Sequence, residues 1–146
     1  MHLEYHEIQT VIDLHKKYLA GDPGGKKAEL AEANLYGANL IGVDLQGANL
    51  EQANLKRSLL CNANLSKANL QGAFFKHAIL EFTNLEGANL QKASLKGANL
   101  DHANLCGADL TDAELEDTTL DEAIFNNDTC WPQAYDPQAK GAIPID

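Results

Sequence analysis

Positive charge is scarce in this chain. Eleven Lys and Arg stand against 21 Asp and Glu, for a formal net charge of −10 over 146 residues. Binding a phosphate backbone takes clustered cations, so this balance argues against direct contact with nucleic acid. Long apolar runs are missing as well. No stretch reaches the ~20 residues that a membrane-spanning helix needs, and the first thirty residues carry no signal-peptide pattern. The expectation is a cytoplasmic chain without a membrane contact, or a periplasmic or lumenal one if a leader was removed before residue 1. Cysteine is sparse and scattered: Cys61, Cys106 and Cys130 form no CxxC pair, which argues against a disulfide framework or a zinc site.

Catalytic constellations are equally thin. "GDPGGKK" (21–27) brings a phosphate loop to mind, but position 20 is Ala and Lys27 stands where Ser or Thr would follow the lysine. It reads as a linker. "HLEYH" (2–6) sets two histidines four apart without the HExxH pattern or a third ligand, so it reads as the frayed start of the chain. His77 and His102 read as surface histidines. No hydroxyl has a base and an orienting acid at recognisable spacing. The expectation is a protein that is not an enzyme, with no cofactor, no metal and no catalytic residue.

What is abundant is a repeat. Every fifth position from Leu30 to 125 is Leu in eighteen cases and Phe in two, Phe75 and Phe125. Two places earlier stands Ala in sixteen of the twenty units, with Val43, Ser58, Thr83 and Thr118 as the exceptions. A helix cannot use this period. At about 100° per residue a five-residue step turns about 500°, so successive leucines would spiral around the axis. A straight strand fails because five is odd and each leucine would change face. Within one unit, however, the Ala and the Leu are two apart and share a face. The chain keeps all these pairs on one side only by turning a corner in every unit, winding into a coil with leucines inside. Outward positions agree: Asn precedes the central residue ten times and Asp twice, and Gly recurs two places after it at seven units. These are turn formers. Matches twenty residues apart, such as Lys56, Lys76 and Lys96, hint at four units per coil.

Units such as "GANLQ", "HANLC" and "GADLT" resemble the A(D/N)LXX unit of the pentapeptide-repeat family, over residues 28–127. The resemblance implies an all-β architecture, a right-handed quadrilateral parallel β-helix of about five coils. "LHKKYLAG" (14–21) resembles the helix that precedes the repeats in many bacterial members, notably photosynthetic ones, and "TCWPQAYDPQAKGA" (129–142) resembles a closing segment of some. The implied organisation is an N-terminal capping helix and linker (1–27), the β-helix of twenty units (28–127) and a C-terminal capping segment (128–146). Ile8, Val11, Ile12, His15, Tyr18 and Leu19 at helical spacing are expected to cover the first coil, and Trp131 and Tyr135 the last.

Function is sought on the outward columns. If residues twenty apart stack, one side carries Lys56, Arg57, Lys76, His77 and Lys96, and the next carries Glu81, Asp101 and Asp121. Like charges on neighbouring strands are locally unfavourable, and such columns read first as a solvated surface whose lysines exchange with the acids round the corner. A cation between Asp101 and Asp121 would have too few carboxylates for a calcium site. Leu59 and Ile79 fill outward positions where this chain usually has Asn; Phe82 lies nearby and Phe74 one side round. These four form a candidate partner surface, or simply adjust a corner. The last coil gathers Asp109, Asp112, Glu114, Glu116, Asp117, Asp121 and Glu122 without a single Lys or Arg, which discourages end-to-end stacking. The expectation is a monomeric, non-catalytic interaction or scaffold module for an unknown protein partner. The alternative follows from the resemblance, since some family members are acidic rods that mimic duplex DNA and bind DNA gyrase. Against it stand the short rod, the lysine column and a closing segment that looks like a cap.

Overall fold

Parallel pairing at a spacing of twenty residues builds the molecule. The structure, a computed structural model, describes residues 2–146. Sixteen single-residue parallel bridges join positions twenty apart, from Glu29↔Asn49 to Asn104↔Ile124. Each coil therefore holds four five-residue units, and every unit forms one side. Counted from the first coil, side one carries Leu30, side two Leu35, side three Leu40 and side four Leu45. The leucine columns and the alanines before them, except the half-buried Ala38, are almost fully buried.

Why each unit turns is visible in its hydrogen bonds. The Ala33 N–H donates to the Leu30 carbonyl at 3.1 Å, closing a four-residue turn, and the same bond recurs down the chain. The third residue of that turn has positive φ at all nineteen corners from 32 to 122. Only its φ is positive, which is the pattern of a type II turn. Seven of the nineteen are the glycines read from the sequence. The other twelve, among them Arg57, His77, Phe82 and Lys92, hold left-handed backbone with a full side chain. Local bonds help to hold it: the Asn54 Oδ1 accepts from the Lys56 N–H at 3.2 Å, and most Asn or Asp at this position serve their own corner alike. Between coils, pairs such as Leu50 N–H to Asn69 O (2.8 Å) and Asn69 N–H to Ala48 O (2.9 Å) run the length of the stack.

Helix α1 (Tyr5–Leu19) covers the first coil. The Glu4 N–H donates to the Glu7 carboxylate at 2.7 Å to start it, and Lys16 and Lys17 complement the dipole at its end. His15 does more than the apolar filling its spacing suggests. It is fully buried; its Nδ1 accepts from the Ala28 N–H and its Nε2 donates to the Gln46 carbonyl, both at 2.9 Å. The Ala28 bond fixes the proton on Nε2. This one side chain pins the helix to the coil at two points.

At the other end Trp131 stacks on Tyr135, with 5.5 Å between centroids, and meets Phe125 edge-on at 5.4 Å. Phe125 was expected in the leucine column, but here it is only half-buried, because the coil above it is incomplete. Nor does the pairing stop at residue 127. Cys130 pairs with Asp109, one residue out of phase, and strand β1 (Ile124–Phe125) pairs in parallel with β2 (Ile143–Pro144). The slip coincides with position 127, the corner position of its unit, which lacks the left-handed conformation of the other nineteen.

Candidate interaction surface

Two adjacent sides carry every residue singled out from the outward columns. On side three Leu59 and Ile79 are bridged partners on neighbouring strands. Leu59 is half-buried and Ile79 sits at 36% exposure. Neither can close its own corner as an Asn does, so the chain gives up a local bond at both units and shows aliphatic surface instead. Phe74 lies on side two with the same loss and 41% exposure. Two further apolar residues belong to this surface and were overlooked in the sequence: Tyr36 on side two and Ile41 on side three, both at least half exposed. They sit just after the central leucine, a place where any residue type is tolerated, so nothing in the repeat pattern marks them.

Phe82 is exposed at the next corner, between sides three and four. It occupies a left-handed corner (φ 60°) and lies flat on the His102 ring of the next coil, with 4.5 Å between centroids. The His102 Nδ1 in turn faces the Glu122 carboxylate at 3.3 Å. A bulky residue at such a φ is uncommon, and the stack is what it gains.

The corner between sides two and three is basic. Lys56, Arg57, Lys76 and His77 line a groove with Tyr36. Lys56 Nζ lies 5.4 Å from the Phe74 ring centre, a cation–π contact. The His77 ring rests over Gly97, where a β-carbon would come within 2.6 Å of its Nδ1. Lys96 differs from the rest of its column. It reaches the Glu114 carboxylate at 3.1 Å, and that hydrogen bond, with the charges of Glu114 and Glu116, holds its ammonium above the ordinary lysine range.

Two of the three acids in the column on side three are bonded into the coil. Glu81 accepts from the Asn99 amide at 2.7 Å, and Asp101 accepts from the Asp121 N–H at 2.9 Å. Among the described residues no group of three or more His, Cys, Asp or Glu could hold a metal ion. No helix among them is long and apolar enough to cross a membrane. Elsewhere, burial pushes the Asp109 carboxyl upward, but hydrogen bonds from the Thr111 hydroxyl, the Gln91 amide and the Thr111 N–H outweigh it and hold the group below the usual range. Burial and the nearby Glu86 raise the Cys106 thiol.

A stack of hydrogen-bonded coils built from one five-residue unit defines a repeat protein. The model of the pentapeptide repeats matches in eight copies, over residues 26–57, 44–81, 58–97 and 88–127. The chain belongs to the pentapeptide-repeat family. A pentapeptide repeat protein of the Arabidopsis thaliana thylakoid lumen is 30% identical, over 68% of this chain and 70% of that one, with a TM-score of 0.53. The pentapeptide repeat protein alr5209 of Nostoc is 29% identical over 91% and 93%, with a TM-score of 0.46. QnrB1, a plasmid-mediated fluoroquinolone resistance protein, is 16% identical over 82% and 81%, with a TM-score of 0.47. No curated protein matches the chain.

Proposed function

We propose that this protein is a non-catalytic interaction or scaffold module, a right-handed quadrilateral β-helix that docks a protein partner on its third side and on the corner shared with the second. Under this reading it works as a monomer and contacts neither nucleic acid nor membrane. One observation carries it: Leu59 and Ile79 stack outward on neighbouring coils at positions where Asn would close the corner. Stability of the coil favours Asn there, so an aliphatic pair has its rationale outside the coil.

The test is affinity capture from native lysate with the wild-type protein and with the Leu59→Asn, Ile79→Asn double variant. Loss of a captured protein in the double variant supports the docking face. Equal capture by both removes the apolar pair from the account. The competing reading is a gyrase-binding mimic of duplex DNA, favoured by the net charge of −10. The lysine column interrupts the negative surface that such a mimic presents. Inhibition of gyrase supercoiling by the purified protein would reverse this preference.

A further inference from the structure

In a molecule with ten excess negative charges, four basic side chains meet at a single corner without an acidic partner. Three contacts between a basic side chain and a carboxylate occur among the described residues: the ion pair Lys96–Glu114 and the histidine contacts His2–Glu4 and His102–Glu122. None involves Lys56, Arg57, Lys76 or His77, although these stand on adjacent strands about 4.8 Å apart. Like charges so placed repel. The neighbouring lysine of the same column, Lys96, shows how the fold relieves such repulsion when it does so internally, since Glu114 sits on the next coil. The equivalent outward place beside Lys76 is Ser94, and beside Lys56 it is Phe74. Neither can neutralise charge. Two of these side chains are also held in place: Lys56 by the Phe74 ring, and His77 by the flat bed that Gly97 provides.

We propose that this corner is a docking site for an acidic segment of a protein partner, with at least two carboxylates seated among Lys56, Arg57 and Lys76 and an apolar residue beside them on Leu59 and Ile79. The proposal rests on the interaction-module reading and adds the chemistry of the partner. Charge complementarity selects the occupant. The last coil is dominated by acids and repels such a segment. Lys16, Lys17, Lys26 and Lys27, also without an ion pair among the described residues, lie at the N-terminal cap apart from Leu59 and Ile79, so cations and aliphatic pair together set its location. The flanking aliphatic pair favours a peptide over a small phosphorylated anion, which would use the cations alone.

The probe is a phage-displayed library of random peptides, selected on the wild-type protein and on two double variants, Lys56→Glu, Lys76→Glu and Lys56→Gln, Lys76→Gln. Circular dichroism first establishes that both variants keep the coil. On wild type, selected peptides should carry two or more Asp or Glu next to Leu, Ile or an aromatic residue. Synthesised, they should bind about tenfold or more weakly to either variant and weaken with salt, as interactions between exposed charges do. Peptides without an acidic bias, peptides that bind the variants equally, or no selected peptide at all would each overturn the proposal. Titration with pyrophosphate is the second arm. Amide shifts at residues 56, 57, 76 and 77, in the absence of any selected acidic peptide, would reassign the corner to a small phosphorylated anion. These failures are separable from failure of the docking face. If capture from lysate still depends on Leu59 and Ile79 while selected peptides are not acidic, the partner's charge alone has been misread.

Discussion

At the scale of single residues, the coil is a set of positions with strict requirements, and the informative residues break them. The place before each central leucine wants a side chain that accepts from the backbone two residues on, as Asn54 does for Lys56. Leu59 and Ile79 cannot. Restoring Asn at both creates two local hydrogen bonds, each contributing about 0.5–1.5 kcal/mol, and removes one apolar cross-strand pair of about 0.2–1 kcal/mol. Chemical denaturation should therefore show the double variant gaining about 1 kcal/mol, even as it loses its partner; a loss of stability would mean the pair serves the coil itself. The corner position wants left-handed backbone. Lys92 is exposed there at φ 59°, so Lys92→Gly should stabilise by about 0.5–1 kcal/mol, because relief of the backbone penalty exceeds the added flexibility of the unfolded chain. A lower denaturation midpoint for this variant would refute the assignment of the corner. The repeat and the inward Leu and Ala columns were legible in the sequence because the pattern is redundant over twenty units. Tyr36 and Ile41 were not, since the position after the leucine has no requirement to violate.

At the scale of elements, the joint between α1 and the first coil is the most exacting contact. Gly25 lies so close to the end of the helix that a β-carbon would come within 2.2 Å of the Tyr18 backbone nitrogen. No rotamer relieves a clash with backbone, so Gly25→Ala should separate helix from coil. His15→Leu should leave the Ala28 N–H and the Gln46 carbonyl buried and unpartnered, at about 1–3 kcal/mol for each group. Hydrogen exchange is the readout: both variants should expose α1 and the first coil while the later coils keep their protection, as nearest-neighbour stacking implies. Uniform loss of protection, or none, would contradict this division. The helix itself was readable from its spacing. The role of His15 was not, because its two partners lie 13 and 31 residues away. The C-terminal closure was foreseen through its two rings and through the likeness of residues 129–142 to a closing segment, but its strand pairing was not. Pairing by Cys130 and by Ile143–Pro144 escaped because a one-residue slip erases the five-residue phase on which the reading depended.

At the scale of the whole molecule, charge is sorted by location. Acids crowd the last coil, where Glu114, Glu116 and Asp117 lie on side two, over which neither β2 nor Cys130 pairs; Glu116 and Asp117 line a hollow with Tyr135 and Lys140 of the closing segment. Like charge at an open end opposes stacking of two molecules. The variant Glu116→Gln, Asp117→Asn should raise self-association with protein concentration in light scattering, whereas a variant as monomeric as wild type would show that the acids have another purpose. The basic corner and the apolar pair lie on the opposite scheme, concentrated midway along the stack and away from both caps. A rigid side face of this kind needs no moving part to bind, so its action should be local to that face. A photo-crosslinking residue placed at position 79, on side three, and in a separate protein at position 69, on the opposite side, tests this most directly in intact cells. The account predicts a crosslinked protein partner from position 79 and none from position 69; crosslinks from 69, or equal yields from both, would contradict it.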